Sequence, residues 1–594
     1  MEAPRAHPCL LWTNRRAPRS NTSSPIRDYS RRWSCDRMSD QHERNMNSLI
    51  HPQSQFVSFR DIPGVTPLFV DYLYRFQRVK HLYADVDLRP EALMAYASTV
   101  TRLAFPRDLL VTVLLEQNHR FGSGPETMAA IEELGDPSSV AIVTGQQPGL
   151  FTGPIYTILK ALTAVSISRD LRARGISAVP IFWIEGDDHD QAEVDHCYLV
   201  DRDGQRRKVS YPVDASQAGR PIGRVSLTEA ISGTIDEALG LLPASEFMPL
   251  LERQLRDAYR PGVSLSEAFA RLMASWFRDL GLVLIDPTDP RLKRPLAGLF
   301  EKVVVTASEV NRRLREQTAE LVRLGYHPQF RVTEESIPLF IEHEGRRIAL
   351  VRRRDQLGLK SREDAFSPQA LVENVRRQPE RFSPGVALRP IAQDVLLPTL
   401  VYIGGPSEIA YFGQIKRLSE WLDRPMTPIL PRASATLMER RYARTLERYG
   451  LRWTDLLAGF DRVLRSVVQH HLASETTDLF DHTERWLRDR LSEIGRAVAE
   501  VDPTLGQAAR TTADKMLYQL NNLRTRFIEA RGRKEQTIYR QIQRALSVLY
   551  PDGRLQERGL NILHFLSRYG PDLVPGLLGT LDVWHWEHHV VFIG

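Results

Sequence analysis

Between residues 140 and 410 the chain repeats one pattern, a short run of consecutive apolar residues followed by a polar or glycine-rich stretch. The runs are Val140 to Val143, Val179 to Ile184 (VPIFWI), Leu282 to Ile285 (LVLI, before Asp286) and Val401 to Ile403 (VYI, before GGP). Runs without apolar/polar alternation suit strands covered on both faces. Between the first two, the spacing predicts a helix from about Pro154 to Ala173, with proline at its start and Gly175 at its C-terminal turn. Strand, crossover helix and strand make a βαβ unit, whose expected solution is a parallel sheet. Upstream, globular sequence begins near Phe56, and PLFVDYLYRFQRV spaces its apolar residues as a buried helix does. Residues 200–270 and 320–380 are charged and irregular, and read as insertions on the core.

After Pro431 the texture changes. Leu487, Leu491, Ile494, Val498, Val501 and Leu505 step by three and four, as do Met516, Leu520, Leu523, Phe527 and Ala530. These steps form a heptad seam, and Pro503 favours a helical hairpin over one rod; an ordinary helical bundle fits the same spacing. Residues 558–594 turn apolar again and end in VWHWEHHVVFIG, a strand-like tail returning to the core. The expected fold class is therefore α/β. It has a Rossmann-like parallel-sheet core over residues 56–430 with inserted connecting subdomains, an α-helical coiled-coil arm over 431–555 and a C-terminal segment over 556–594.

At 594 residues the chain exceeds what one core usually holds. The net charge of +6 changes the picture less than it suggests. Residues 1–55 hold nine Lys or Arg against five Asp or Glu, leaving seventy against sixty-eight elsewhere. The body is nearly neutral, so bulk charge gives no support for a nucleic-acid partner. No apolar run is long enough to span a membrane. Cys9, Cys35 and Cys197 lack CxxC spacing, which points away from disulfides and structural zinc and toward a reducing cytoplasm. The Arg- and Ser-rich residues 1–55 read as a disordered tail, with Met38 or Met46 as alternative starts. Cys197, without a basic neighbour other than His196, reads as a buried structural thiol.

In open α/β sheets ligands bind beyond the carboxyl ends of the strands. VTGQQPGLFTGPIYTILK lies at such an end. Gly145 and Gly149 permit close ligand approach, Gly153 and Pro154 start a helix whose free N–H groups favour an anion, and Thr152 can cap it. Gln146 and Gln147 add neutral donors and acceptors, with Tyr156 just behind; a tight turn satisfying its own backbone is the simpler alternative. At the next strand end, Asp187, Asp188, His189 and Asp190 offer acid/base groups or Mg²⁺ ligands, with His189 the first choice. On a helix, His189, Glu193 and His196 would share a face, but the spacing matches no zinc motif and no metal set is assigned. Arg389, Gln393 and Asp394 combine an anion donor, an amide and a carboxylate, or an internal ion pair. Gly404 and Gly405 form another strand-end loop, with Glu408 and Tyr411 in the helix that follows.

TGQQPGLFTGPIYTILKA, FWIEGDDHDQAEVDH, LRPIAQDVLLPTLVYIGGPSEIAYFGQ and NILHFLSRYGPDLV together resemble the bacillithiol-biosynthesis cysteine-adding enzymes, in that family's order and over about Phe56 to Gly594. One departure is Gly385, where members commonly carry Asn. The resemblance implies a Rossmann-like core, a coiled-coil arm that pairs two subunits into a homodimer, and addition of cysteine to glucosaminyl-malate. Similarity of that fold to class I aminoacyl-tRNA synthetases suggests cysteine activation by ATP, with Mg²⁺. On this reading Gln146, Gln147, Thr152 and Gly153 cradle an anion or sugar, and His189 and Asp190 serve acid/base transfer or Mg²⁺. Arg389 pairs with a carboxylate, and Glu408 or Tyr411 orients the amine. Another ATP-dependent amide ligase or nucleotidyltransferase, or a non-catalytic nucleotide-binding adaptor, are the alternatives.

Overall fold

The computed structural model describes residues 55–594, apart from Asp355, residues 472–474 and Glu535; the expected N-terminal tail lies outside the described residues. At its centre is a five-stranded, all-parallel sheet with the order Ile429–Pro431, Thr399–Gly404, Val140–Gln146, Ala178–Ile184, Val283–Ile285. Numbered along the chain this order is 5-4-1-2-3, the doubly wound pattern. Every residue of the Ala178–Ile184 strand is buried, as its unbroken apolar run requires. The helix Tyr156–Ala173 crosses over between the first two strands and is itself buried over most of its length.

Residues 320–380, expected to be irregular, instead carry most of a five-stranded antiparallel sheet: Ala365–Phe366, Gln356–Leu359, Arg346–Arg353, Ser336–His343, Phe382–Pro384. Its central hairpin turns on Glu344 and Gly345, both with positive φ (53° and 75°). Two such residues between alternating strands are the signature of a tight hairpin turn, masked in the sequence by the density of charge. Residues 200–270 likewise hold regular structure, a hairpin of His196–Val200 with Arg206–Ser210 followed by three helices, Ala230–Leu241, Met248–Ala258 and Leu265–Trp276.

The arm is built on Glu475–Val501 and Pro503–Lys534, two helices that fold back on each other at Asp502. Small residues let them approach there: an added Cβ on Gly506 would stand 3.1 Å from the Cβ of Ala499. Farther along, Arg524 reaches Asp481 at 2.6 Å and Phe480 meets Phe527. The heptad seam is only partly covered by this hairpin. Leu487, Leu491 and Val498 are half-buried, whereas Ile494, Met516 and Leu523 stay exposed. After the arm the chain returns, and His588–Ile593 pairs in parallel with Ser434–Glu439 and antiparallel with Gln55–Val57. Among the described residues no helix is long and apolar enough to cross a membrane.

Candidate active site at the sheet switch point

Chain order reverses between the Val140–Gln146 and Thr399–Gly404 strands, and a crevice opens beyond their carboxyl ends as this topology dictates. It encloses a cavity of about 680 Å³. Of the residues singled out in the sequence, Gly145, Gln146, Gln147, Tyr156, Asp187, His189, Arg389, Gly405, Glu408 and Tyr411 line it. Gly404 lines a second cavity of about 510 Å³ that shares Tyr156, Gly405, Arg432 and Arg558 with the first.

The floor is organised by Lys160, which sequence reasoning passed over. Its ammonium, 3% exposed, donates to Gly145 O at 2.7 Å and Gln146 Oε1 at 2.9 Å, and pairs with Glu408 Oε2 at 2.7 Å. Glu408 also accepts from Tyr402 Oη (2.6 Å) and the Gly405 N–H (2.7 Å). Burial works to raise the Glu408 carboxyl, but Lys160 and these donors outweigh it and hold it below its ordinary value. One buried ion pair thus ties together the loops after both strands that flank the switch point. A lysine in the otherwise buried run YTILKALTAV was the signal for it. Glu408, which lines the cavity, is held inside the protein by three donors.

Gly145 is required here because a Cβ would stand 2.6 Å from the carbonyl oxygen of Trp183 in the adjacent strand. Gly145→Ala is expected to cost about 1–3 kcal/mol by prising these strands apart, read as a lower urea midpoint.

The next strand end gives Glu185, also missed in the sequence although it directly precedes the acidic run. It lines the cavity, and Arg389 Nε stands 3.1 Å from its Oε1. Arg389 donates to Gln393 Oε1 (3.1 Å) and Tyr411 Oη (3.3 Å) and lies 4.8 Å from the Tyr402 ring centroid. The internal Arg389–Asp394 ion pair, the alternative left open by the sequence, is not formed. Asp394 instead accepts from Thr427 Oγ1 (2.6 Å), and it and Gln393 stand outside the cavity lining. Arg389 has internal partners on three of its nitrogens, among them the protein's own Glu185 carboxylate.

The acidic run divides by direction. Asp187 turns inward to an ion pair with buried Lys293. Asp188 accepts from Gln147 Nε2 (2.6 Å) and the His189 N–H (2.7 Å). Burial would raise its carboxyl, but the His189 side chain, Gln147, Arg347 and the His189 N–H hold it well below the usual range. Asp190 is exposed and outside the cavity lining, which corrects its placement in the site. The helix there spans only Gln191–Val194 and His196 already begins a strand, so His189, Glu193 and His196 share no helical face. Among the described residues no three metal-ligating side chains converge.

His189 Nδ1 lies 3.1 Å from Arg347 Nη1. A guanidinium only donates, so in this bond Nδ1 accepts and a neutral ring carries its proton on Nε2, with Asp188 Oδ1, 3.5 Å from the same nitrogen, as the competing partner. Arg347 comes from the inserted antiparallel sheet; nothing in the sequence marks it out among the adjoining arginines.

Thr152 and Gly153 do not line the cavity. Phe151, Thr152 and Gly153 take positive φ in succession (51°, 75° and 70°), which turns this part of the loop away toward the C-terminal segment. Asn561 donates to Phe151 O (2.8 Å) and Gly153 O (2.6 Å), and Ile155 N donates to Leu560 O (3.0 Å). Thr152 and Gly153 are thereby held against the C-terminal segment, and the Ile155 N–H at the expected anion-binding helix start is already taken by Leu560. Cys197 is buried, and burial pushes its thiol far up, which leaves it inert.

The chain matches two family descriptions, "Bacillithiol biosynthesis BshC, N-terminal Rossmann-like domain" over residues 53–433 and "Bacillithiol biosynthesis BshC, C-terminal coiled-coil domain" over residues 435–593. Three relatives bear the name "Putative cysteine ligase BshC". The one from Koribacter versatilis is 36% identical across 90% of this chain and 99% of its own. Those from Salinibacter ruber (35%, 88% of this chain and 96% of its own) and Chlorobaculum tepidum (32%, 89% and 97%) are similar over nearly the same extent.

Proposed function

Because the chain belongs to the BshC family of bacillithiol biosynthesis, we propose that this ligase joins the carboxyl of cysteine to the amine of glucosaminyl-malate in the cytoplasm, ATP activating the carboxyl first. The observation that carries this reading is the crevice at the switch point, where an acid-rich strand end faces a ring of cations. Two of these, Arg331 and Arg558, are exposed, line the cavity and make no ion pair among the described residues. They are the cations free to meet phosphate or malate carboxylates. His189, with its proton on Nε2, donates toward the oxygen that gains charge when the activated carboxyl is attacked. Gln146 and Gln147 hold the loop in shape through Lys160 and Asp188 and leave their remaining valences for sugar hydroxyls.

The carboxylates around the cavity are already paired with Lys160, Arg389, Gln147 and Lys293, and no three ligands converge among the described residues. The described residues do not fit a protein-held Mg²⁺. The test is incubation of purified protein with cysteine, ATP and glucosaminyl-malate, following bacillithiol by mass spectrometry and separating ADP from AMP. Nucleotide turnover with a different amine, and none with glucosaminyl-malate, would favour another amide ligase; no turnover with any amine would favour an adaptor.

The open seam of the arm supports a homodimer. Ile494 (53% exposed) and Leu523 (59%) sit on it as apolar residues with no cover in the hairpin. Sedimentation of the wild type is expected to give twice the chain mass, and Ile494→Glu with Leu523→Glu to give the monomer. A monomeric wild type would sink the dimer.

A further inference from the structure

Amide formation from an amine leaves one N–H proton to be removed, and no group described so far takes it. Resting on the ligase reading above, we propose that Glu185 is the catalytic base that accepts this proton from the attacking amine. The other carboxylates near the reaction space are occupied or solvated. Asp187 is tied to Lys293, Asp188 holds two hydrogen bonds, and Glu408 carries Lys160, Tyr402 and a backbone N–H. Glu193 is exposed and held by Gln147 (2.7 Å). Glu185 differs from all of these. Its Oε1 faces Arg389, which is fixed in turn by Gln393 and Tyr411, while no donor reaches Oε2 among the described residues. Its backbone N–H donates to Gln146 O at 3.0 Å, which anchors the residue between the first two strand ends. The result is a half-buried carboxylate lining the cavity with one oxygen held and the other unclaimed.

The electrostatic setting agrees with this geometry. Burial raises the Glu185 carboxyl to about 7; the Arg389 guanidinium opposes this, and the carboxylates of Asp187, Asp188 and Glu408 add to it. Arg347 faces the same group from the inserted sheet. A carboxylate near the working pH is both ionised enough to act and basic enough to accept.

In the step proposed, the amine nitrogen attacks the cysteine carboxyl carbon, which is bound as an anhydride to a phosphoryl group from the nucleoside triphosphate. The C–N bond forms, the bond from that carbon to the phosphoryl-bearing oxygen breaks, and the oxygen leaves with the electron pair. The N–H proton passes to Glu185 Oε2.

Glu185→Gln keeps the size and the carbonyl facing Arg389. With glucosaminyl-malate it is expected to lower kcat by about 100-fold or more, and to flatten the rise of kcat with pH expected of the wild type near pH 7. With hydroxylamine, a much weaker base whose N–H becomes acidic enough on attack to pass to water, hydroxamate formation from cysteine is expected to persist near the wild-type rate. Bacillithiol formation by the variant as fast as by the wild type overturns the assignment alone. Loss of hydroxamate as well would make Glu185 a positioning residue acting through Arg389, and also overturns the base. A wild type that forms no bacillithiol overturns the functional reading and the assignment with it.

Discussion

Lys160→Met is expected to destabilise the protein by about 3–5 kcal/mol and to leave no measurable ligation. The methionine fills similar space but carries no charge and donates nothing. Glu408, about 15% exposed at its side chain, would then hold a carboxylate supported only by Tyr402 and one backbone N–H. Gly145 O and Gln146 Oε1 lose a donor in the same stroke. Both loops of the switch point hang from this ammonium, so the cavity floor loses its shape along with its stability. Urea denaturation gives the magnitude, and the double variant with Glu408→Gln tests the cause. If the unpaired charge is what costs, the double variant recovers part of the loss; simple additivity would show that the pair does not couple. The pH dependence has a definite sign. Glu408 is held below its ordinary 4.5, so its contribution is full above that value and is lost as pH falls through the lower folded one. In Lys160→Met this acid-side loss is expected to shrink.

What could be read from the sequence and what could not follow from the range of the forces involved. The parallel strands were legible because a strand buried on both faces must be apolar along its length, a property of consecutive residues in VPIFWI and LVLI. The crevice followed from topology, and with it the loops after residues 145, 184 and 404. The arm was legible for the same local reason, since its apolar period lies within each helix. Roles within the crevice were not legible, because they depend on partners distant in sequence. The start of the Tyr156–Ala173 helix looked open to an anion, but Leu560, about 400 residues later, takes its Ile155 N–H. Arg389 and Asp394 stand five apart on a short helix, yet Trp183 and Tyr402 face one and Thr427 the other, so the two never meet. Glu185 is a different omission. It stood at the expected strand end, but the run of three Asp and one His after it drew the choice one step too far along the chain.

Arg347→Ala is expected to lower kcat/KM on the order of 1,000-fold, in keeping with the cost of a catalytic histidine held in the wrong tautomer. Arg347 is the reach of the inserted sheet into the Rossmann-like core. Its side chain, about 7% exposed, donates to Ser383 Oγ (2.9 Å) and Pro384 O (2.7 Å), stands 3.7 Å from the Phe340 ring centroid, and presents its remaining nitrogen to His189 Nδ1. Without it nothing obliges Nδ1 to accept, and Asp188, 3.5 Å away, draws the ring proton there instead. The Nε2–H proposed to meet the developing oxyanion is then lost in nearly all of the molecules. Lysine does not restore it, because one ammonium on a flexible stem cannot span a hydroxyl, a carbonyl and an imidazole that a planar fork meets together. Arg347→Lys is therefore expected to stay within about tenfold of the alanine variant. Two readings check the account: kcat/KM, and the ring nitrogen resonances of His189, expected to report Nε2–H in the wild type and Nδ1–H in Arg347→Ala. A fall in kcat/KM with the Nε2–H tautomer retained would locate the loss in the packing of the inserted sheet, and a retained kcat/KM would remove His189 from the chemistry.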